Sequence, residues 1–262
     1  MNLDREIQAA IEAARGAGKI LLESRHLDLE TRAKQDGSPV CIADTRSADY
    51  LISFMRERFP DYGILCEETV DDDDRASNER SWIIDPLDGT QSYIKGRDTF
   101  GVIIGLMQDG EAVLGVTHLP MKDETLYAAK GRGAYRDGKT VARIHVVASD
   151  EIDMLVSGSR NDASLQEIIS RLAPVRLRTM HTSFKTTEIA KGEATVFACP
   201  PSITMNLWDL CGPAAILEEA GGKVTDLYGR PIDYRAGTAL SYGILATNGR
   251  VHDDVLTLLR IH

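Results

Sequence analysis

Apolar residues recur along the N-terminal segment at close to a helical period: Leu3, Ile7, Ala10, Ile11, Ala14, Leu21 and Leu22, with Glu and Arg between them. That spacing predicts an amphipathic helix. Polar, strand-like sequence follows to Pro39. A second helix is predicted from about Asp44, capped by Asp44 or Thr45. Tyr50, Leu51, Phe54, Met55 and Phe59 form its apolar face, and Pro60-Asp61 stops it. Ile64-Leu65-Cys66 reads as a short buried strand ending on Glu67-Glu68.

The stretch from Asp71 to Arg80 is polar and aperiodic, an expected exposed loop. Its aspartate run is not an EF-hand. Counted from Asp71, the position that needs Gly is Ala76, and the one that needs Glu is Trp82. Beyond Ser81 the pattern turns β-rich. Trp82-Ile83-Ile84 is a predicted strand ending at Asp85, and Phe100–Met107, Ala112–His118 and Thr125–Ala129 form a predicted antiparallel meander with a turn at Gln108-Asp109-Gly110. Gly131-Arg132-Gly133 and Asp137-Gly138 read as further turns. From about residue 145 strands and helices alternate. The predicted strands are Met154–Ser157, Thr195–Cys199 and Ile244–Ala246. The predicted helices are Asp162–Leu172, Ser183–Lys191, Trp208–Ala220, closed by Gly221-Gly222, and Val251–Arg260. The expected architecture is an α+β half over residues 1–145 and an α/β half over 146–262, packed as one unit.

The chain has 262 residues, enough for a substantial core. With 40 acidic against 30 basic side chains, its net charge of −10 argues against a nucleic-acid partner, since a phosphate backbone rewards clustered Lys and Arg. The four cysteines, Cys41, Cys66, Cys199 and Cys211, form no CxxC pair, which suggests neither a zinc ribbon nor a disulfide framework and fits a reducing cytoplasm. The charged start is unlike a signal peptide, and the longest apolar run, near Phe100 to Met107, is too short to cross a membrane. None of the six histidines falls in a metal-binding pattern.

Three acidic segments carry the candidate chemistry: Cys66-Glu67-Glu68-Thr69 at a strand end, Asp85-Pro86-Leu87-Asp88-Gly89-Thr90 at another, and Trp208-Asp209 at a helix start. Taken singly, each has an ordinary explanation as a surface pair, a turn or a helix cap. Taken together they suit a hard cation, because magnesium takes oxygen ligands in octahedral geometry. Asp85 can bridge two ions, with Asp88 on one and the Leu87 carbonyl on the other, and the Gly89 and Thr90 N–H groups can face an anion at a helix start.

The order Glu-Glu, Asp-Pro-Leu-Asp-Gly-Thr after a Trp-containing strand, then Trp-Asp before an Ala-rich helix resembles the inositol monophosphatase superfamily, from Lys34 to Asn248. The resemblance implies a layered αβαβα sandwich, two or three magnesium ions, lithium sensitivity, often a homodimer, and a small phosphorylated metabolite as partner. It implies Glu67, Asp85 and the Leu87 carbonyl on one ion, with Asp85, Asp88 and Asp209 on a second. It further implies that Glu67 helps hold a weaker third ion, and Thr90 and Asp44 resemble the pair that orients the attacking water.

Asp36-Gly-Ser-Pro-Val40 with Ala43-Asp44, and Ser183-Phe-Lys185, resemble the bisphosphate nucleotidase branch. There Ser183 and Lys185 hold a second phosphate; the plainer reading of Lys185 is an exposed helix cation. Ser202 stands where inositol-specific members often carry Glu. Ser157-Gly-Ser159-Arg160-Asn161 and Gly192-Glu-Ala-Thr195 depart from the nucleotidase pattern, so inositol and histidinol phosphates stay open as substrates. A catalytically silent metal- or nucleotide-binding protein is the alternative of a different class. The presence of every ligand position and of both water-orienting residues ranks it low.

Overall fold

The computed structural model describes residues 3–27, 29–34, 37, 39–69, 78–137, 142–158 and 161–259. The acidic stretch from Asp71, the positions Asp36 and Ser38, Gly138, the pair Ser159-Arg160, and Arg260 lie outside them. Two long helices open the chain, α1 (Asp4–Ser24) and α2 (Ile42–Arg58), with a small antiparallel pair between them, β1 (Arg32–Ala33) and β2 (Pro39–Val40).

A seven-stranded sheet follows: β3 (Gly63–Cys66), β4 (Arg80–Asp88), β5 (Gly101–Gln108), β6 (Glu111–Leu119), β7 (Glu124–Ala129), β8 (Gly133–Asp137) and β9 (Ala142–Ile144), paired in that order. Among the described residues, β3 and β4 pair in parallel and the other neighbours in this sheet pair antiparallel. A second sheet has the order β11-β10-β12-β14-β13, from β10 (Asp153–Val156), β11 (Arg176–Thr179), β12 (Val196–Cys199), β13 (Lys223–Thr225) and β14 (Ile244–Thr247). Strands β10, β11 and β12 are mutually parallel, and β14 runs against β12 and β13. The other helices are α3 (Thr90–Ile94), α4 (Ala163–Leu172), α5 (Lys185–Ala190), α6 (Leu207–Glu219) and α7 (His252–Leu259).

Strand alternation explains the layering, since successive side chains point to opposite faces. Trp82 and Ile84 of β4 pack with α1 and α2, and Ile83 between them packs on the other side with Leu207, Leu210 and Cys211 of α6. Leu155 and Phe197 of the second sheet face that same middle layer, and Met154, Val156 and Leu245 face Leu165, Leu172 and Val255 of the outer helices α4 and α7. The sequence of layers is therefore helix, sheet, helix, sheet, helix, as expected. The central strands of each sheet are covered on both faces, so β4, β5 and β12 are buried along nearly their whole length. The middle helix lies almost backbone to backbone on the first sheet. A Cβ at Gly115 would stand 2.0 Å from the Gly212 carbonyl oxygen. Among the described residues, no helix is long and apolar enough to cross a membrane.

The sequence reading missed β8, β9, β11 and β13. Each is short, and β9, β11 and β13 lie at sheet edges, where only one side of the strand is paired; β11 also alternates Arg176 and Arg178 with Leu177, which gives no apolar run. The predicted cap of α2 is also corrected. Cys41 is the N-cap, and Asp44 sits three residues inside the helix as the acid of a capping box. The helix predicted to begin at Ser183 begins at Lys185, which leaves Ser183 in the preceding turn.

Candidate metal and active site

Strand β4 was expected to end at Asp85, but it continues to Asp88. Its pairing with β5 changes register on the way: Asp85 lies opposite Ile103 and Asp88 opposite Gly101, so three steps on β4 match two on β5. This extra residue is a β-bulge. In a regular strand residues three apart face opposite sides; the bulge turns both carboxylates toward one point. Pro86 has no N–H to give to a ladder and occupies the interruption. Its carbonyl accepts a hydrogen bond from the Ser47 hydroxyl at 2.8 Å, and the Leu87 N–H donates to Asp85 Oδ1 at 3.0 Å. Gly89 then carries the chain into α3 at φ +87°, and a Cβ there would meet the Thr99 carbonyl oxygen at 2.8 Å.

Two helix starts complete the arrangement by one device. Asp44 and Asp209 are each the third residue of a helix and the acid of a capping box. Each gives one oxygen to the N-cap N–H: Asp44 to Cys41 at 2.8 Å, Asp209 to Asn206 at 2.7 Å. The other oxygen is left for the site. Asp44 Oδ1 accepts from the Thr90 hydroxyl at 2.8 Å, and Asp209 Oδ1 from the Ser183 hydroxyl at 2.8 Å. The Ser183 N–H donates to both oxygens of Asp88, at 3.0 and 2.9 Å. Thr90 also lies 3.0 Å from the Leu87 carbonyl, but it has one proton, and the charged acceptor at the shorter distance takes it.

Carboxylate oxygens of Asp85, Asp88 and Asp209 lie within 4.8 Å of one another. Glu67 joins them through its neighbour in the sheet. Its N–H donates to the Ile84 carbonyl at 3.1 Å, and its charge adds to that of Asp85. The Lys34 ammonium caps this edge, 2.8 Å from Glu67 Oε1 and 2.6 Å from Glu68 Oε1. Burial and mutual repulsion disfavour so many negative charges. Burial, partly offset by Lys34, pushes Glu67 up to about 7, and burial with Asp209 alongside pushes Asp88 up to about 7. Burial raises Asp85 well above the carboxylate range, with Glu67 and Asp88 adding to it, and burial raises Asp209 too.

Such a cluster is relieved either by protons or by a cation. Its donors are all oxygens, and the converging carboxylates come from three separate elements, so the residues fit a hard divalent ion. The raised folded-state values mean that the metal-free cluster stabilises the protein fully below about pH 4, where the unfolded carboxylates titrate. That contribution is lost as pH rises through about 7, the value for Glu67 and Asp88. Metal-free protein should therefore melt at a lower temperature at pH 8 than at pH 5 as far as these groups decide it. Added magnesium should raise the melting temperature more at pH 8 than at pH 5. Calorimetry in buffers of different ionisation heat should detect protons released on binding below pH 7.

Lys185 requires a correction. It is 4% exposed, not an exposed helix cation. Its ammonium donates to the carbonyls of Thr182 and Met180 and lies 5.1 Å from the Phe197 ring centroid. Burial lowers its pKa, with the charges of Asp88 and Asp209 opposing. The ammonium is thus turned into the turn that carries Ser183. Ser202 is turned the other way, its hydroxyl donating to Asp162 at 2.9 Å. Four supporting residues escaped the sequence reading: Lys34, Cys41, Ser47 and Asn206. Of these only Asn206 had a local signal, a capping residue three positions before an acid.

The model of the inositol monophosphatase family matches residues 2–261. The chain is 30% identical over 228 residues to the 3′(2′),5′-bisphosphate nucleotidase CysQ of Escherichia coli K12, covering 85% of this chain and 91% of that protein. It is 31% identical over 231 residues to a histidinol-phosphatase of Chlorobaculum parvum, covering 86% and 87%. The solved inositol monophosphatase of Thermotoga maritima superposes with a TM-score of 0.82 at 27% identity, covering 97% of this chain and 96% of that one. A bulged strand, two capping-box aspartates and a sandwich of this order thus coincide with a match along nearly the whole sequence, and the chain belongs to the inositol monophosphatase family of metal-dependent phosphomonoesterases.

Proposed function

We propose that this phosphatase removes one phosphate from a bisphosphorylated nucleoside of the 3′-phosphoadenosine 5′-phosphate type, with magnesium as its ion. The observation that carries the substrate is the similarity to the nucleotidase CysQ over 85% of the chain. Ser202 supports it, because it stands at the position where an inositol reader would carry Glu.

Asp85, Asp88, Asp209, Glu67 and the Leu87 carbonyl would hold the magnesium. Bound there, it supplies neutralising charge to the phosphate and lowers the pKa of water. The protein's own groups do the rest. Thr90 donates its hydrogen bond to Asp44, so its oxygen lone pairs remain free to accept from the attacking water and aim it. Asp44, held on its other oxygen, is positioned to take up the proton that the water releases through Thr90. Ser183 braces Asp88 and Asp209 together, so the two carboxylates keep their spacing as charge develops.

Phosphate release from 3′-phosphoadenosine 5′-phosphate, inositol 1-phosphate and histidinol phosphate under one set of conditions tests the substrate. The bisphosphate should have the highest kcat/KM; a higher value for either monophosphate refutes it. The histidinol-phosphatase of Chlorobaculum parvum, at 31% identity, makes histidinol phosphate the second reading.

The burial of Lys185 changes what its removal should do. With its ammonium bonded to the Thr182 and Met180 carbonyls, Lys185→Met should loosen the turn at Ser183. kcat/KM should fall about tenfold or more on the bisphosphate and on inositol 1-phosphate alike, as loss of a charged hydrogen bond worth ~1.5–3 kcal/mol implies. A loss confined to the bisphosphate would mean that Lys185 contacts the second phosphate after all.

A further inference from the structure

One thiol touches the water-orienting pair. Cys41, 2% exposed, is the N-cap of α2. N-caps are usually Ser, Thr, Asp or Asn, whose oxygens accept from the helix N–H groups. Here the Asp44 N–H goes to the Cys41 carbonyl at 3.1 Å, and the thiol donates instead: Cys41 Sγ lies 2.9 Å from Asp44 Oδ2, the oxygen that already receives the Cys41 N–H at 2.8 Å. Two donors from one residue therefore occupy Oδ2 and fix the rotation of the carboxylate. Oδ1 is left facing Thr90, 2.8 Å away.

The other thiols do not do this. Cys199 donates to the Pro200 and Ile203 carbonyls, and Cys211 packs where a Cβ on Gly105 would fall. Burial and the Asp44 carboxylate push the Cys41 thiol up to about 12, so it keeps its proton at working pH.

The geometry points to Cys41 as a positioning residue for hydrolysis: its thiol locks the Asp44 carboxylate in the orientation that presents Oδ1 to Thr90. This rests on the reading of Asp44 and Thr90 as the pair that aims the water. It differs from a plain helix cap, because a cap acts on stability and this contact acts on the rate.

The test compares Cys41→Ala, Cys41→Ser, Asp44→Asn and the Cys41→Ala/Asp44→Asn double variant in kcat, KM, magnesium affinity by calorimetry and melting temperature. Cys41→Ala should lower kcat roughly ten- to thirtyfold, the scale of a misplaced catalytic group, with KM and magnesium affinity changed less than about twofold. Cys41→Ser keeps a donor and an acceptor and should recover kcat to within about threefold of the parent. In the double variant Cys41→Ala should add less than about twofold to the loss from Asp44→Asn, because there is no longer a carboxylate to hold. Cys41→Val, which fills the space without a donor, gives the same comparison if the alanine variant does not fold. A near-normal kcat in Cys41→Ala beside a large loss in Asp44→Asn overturns the role of Cys41, as do additive losses in the double variant. A near-normal kcat in Asp44→Asn overturns the underlying reading of the pair instead.

Discussion

Asp88→Asn should lower kcat/KM at least a thousandfold, about 4 kcal/mol of transition-state stabilisation. The substitution keeps the shape of the side chain and can keep an oxygen toward the Ser183 N–H, which now serves both carboxylate oxygens at 3.0 and 2.9 Å. What it removes is the negative charge that would meet the ion and the phosphate. The same charge is a liability to the metal-free fold. Burial and Asp209 push the Asp88 carboxyl up to about 7, so ionising it at pH 8 costs stability that Asn does not. The variant should therefore be nearly inactive and, without metal, at least as stable as the parent at pH 8. Steady-state kinetics and thermal melting check the two halves. Loss of activity accompanied by a large fall in metal-free stability would indicate a structural role.

Thr90→Ala and Asp44→Asn should each lower kcat by about 10²–10⁴-fold, the usual contribution of a positioned proton-transfer pair. Neither residue lies in the converging carboxylate group of Asp85, Asp88 and Asp209, so magnesium affinity should stay within a few-fold of the parent. Because the two act as one unit through the 2.8 Å bond between them, the double variant should be little worse than either single one. Rapid kinetics with isothermal titration separates the outcomes. If magnesium affinity collapses along with kcat, Asp44 serves the ion and does not aim the water.

The sequence made the layers, the long helices and the acidic positions legible because each has a strong local signature. Apolar periodicity marks α1 and α2, and continuous apolar runs mark strands covered on both faces. The geometry that makes the acids a site was less visible. Nothing local indicates that Asp85 and Asp88 face one way; that follows from a register change against β5, a pairing between residues distant in sequence. The burial of Lys185 was hidden for a similar reason. A lysine at a helix start suggests an exposed cation, and only the packing of α5 under the Ser183 turn reveals its ammonium bonded to Thr182 and Met180. The Cys41 thiol gave no signal at all, since its partner Asp44 is identified by the fold of the helix entry.

The claim on which the rest depends is that the carboxylate group works by holding a divalent cation. Phosphate release from 3′-phosphoadenosine 5′-phosphate should be measured on protein stripped with excess EDTA, and again as magnesium is returned. Activity should be absent in EDTA and recover in full with magnesium. The magnesium requirement should rise as pH falls below 7, where Glu67 and Asp88, at about 7, begin to hold protons. Undiminished phosphate release in excess EDTA would contradict the account.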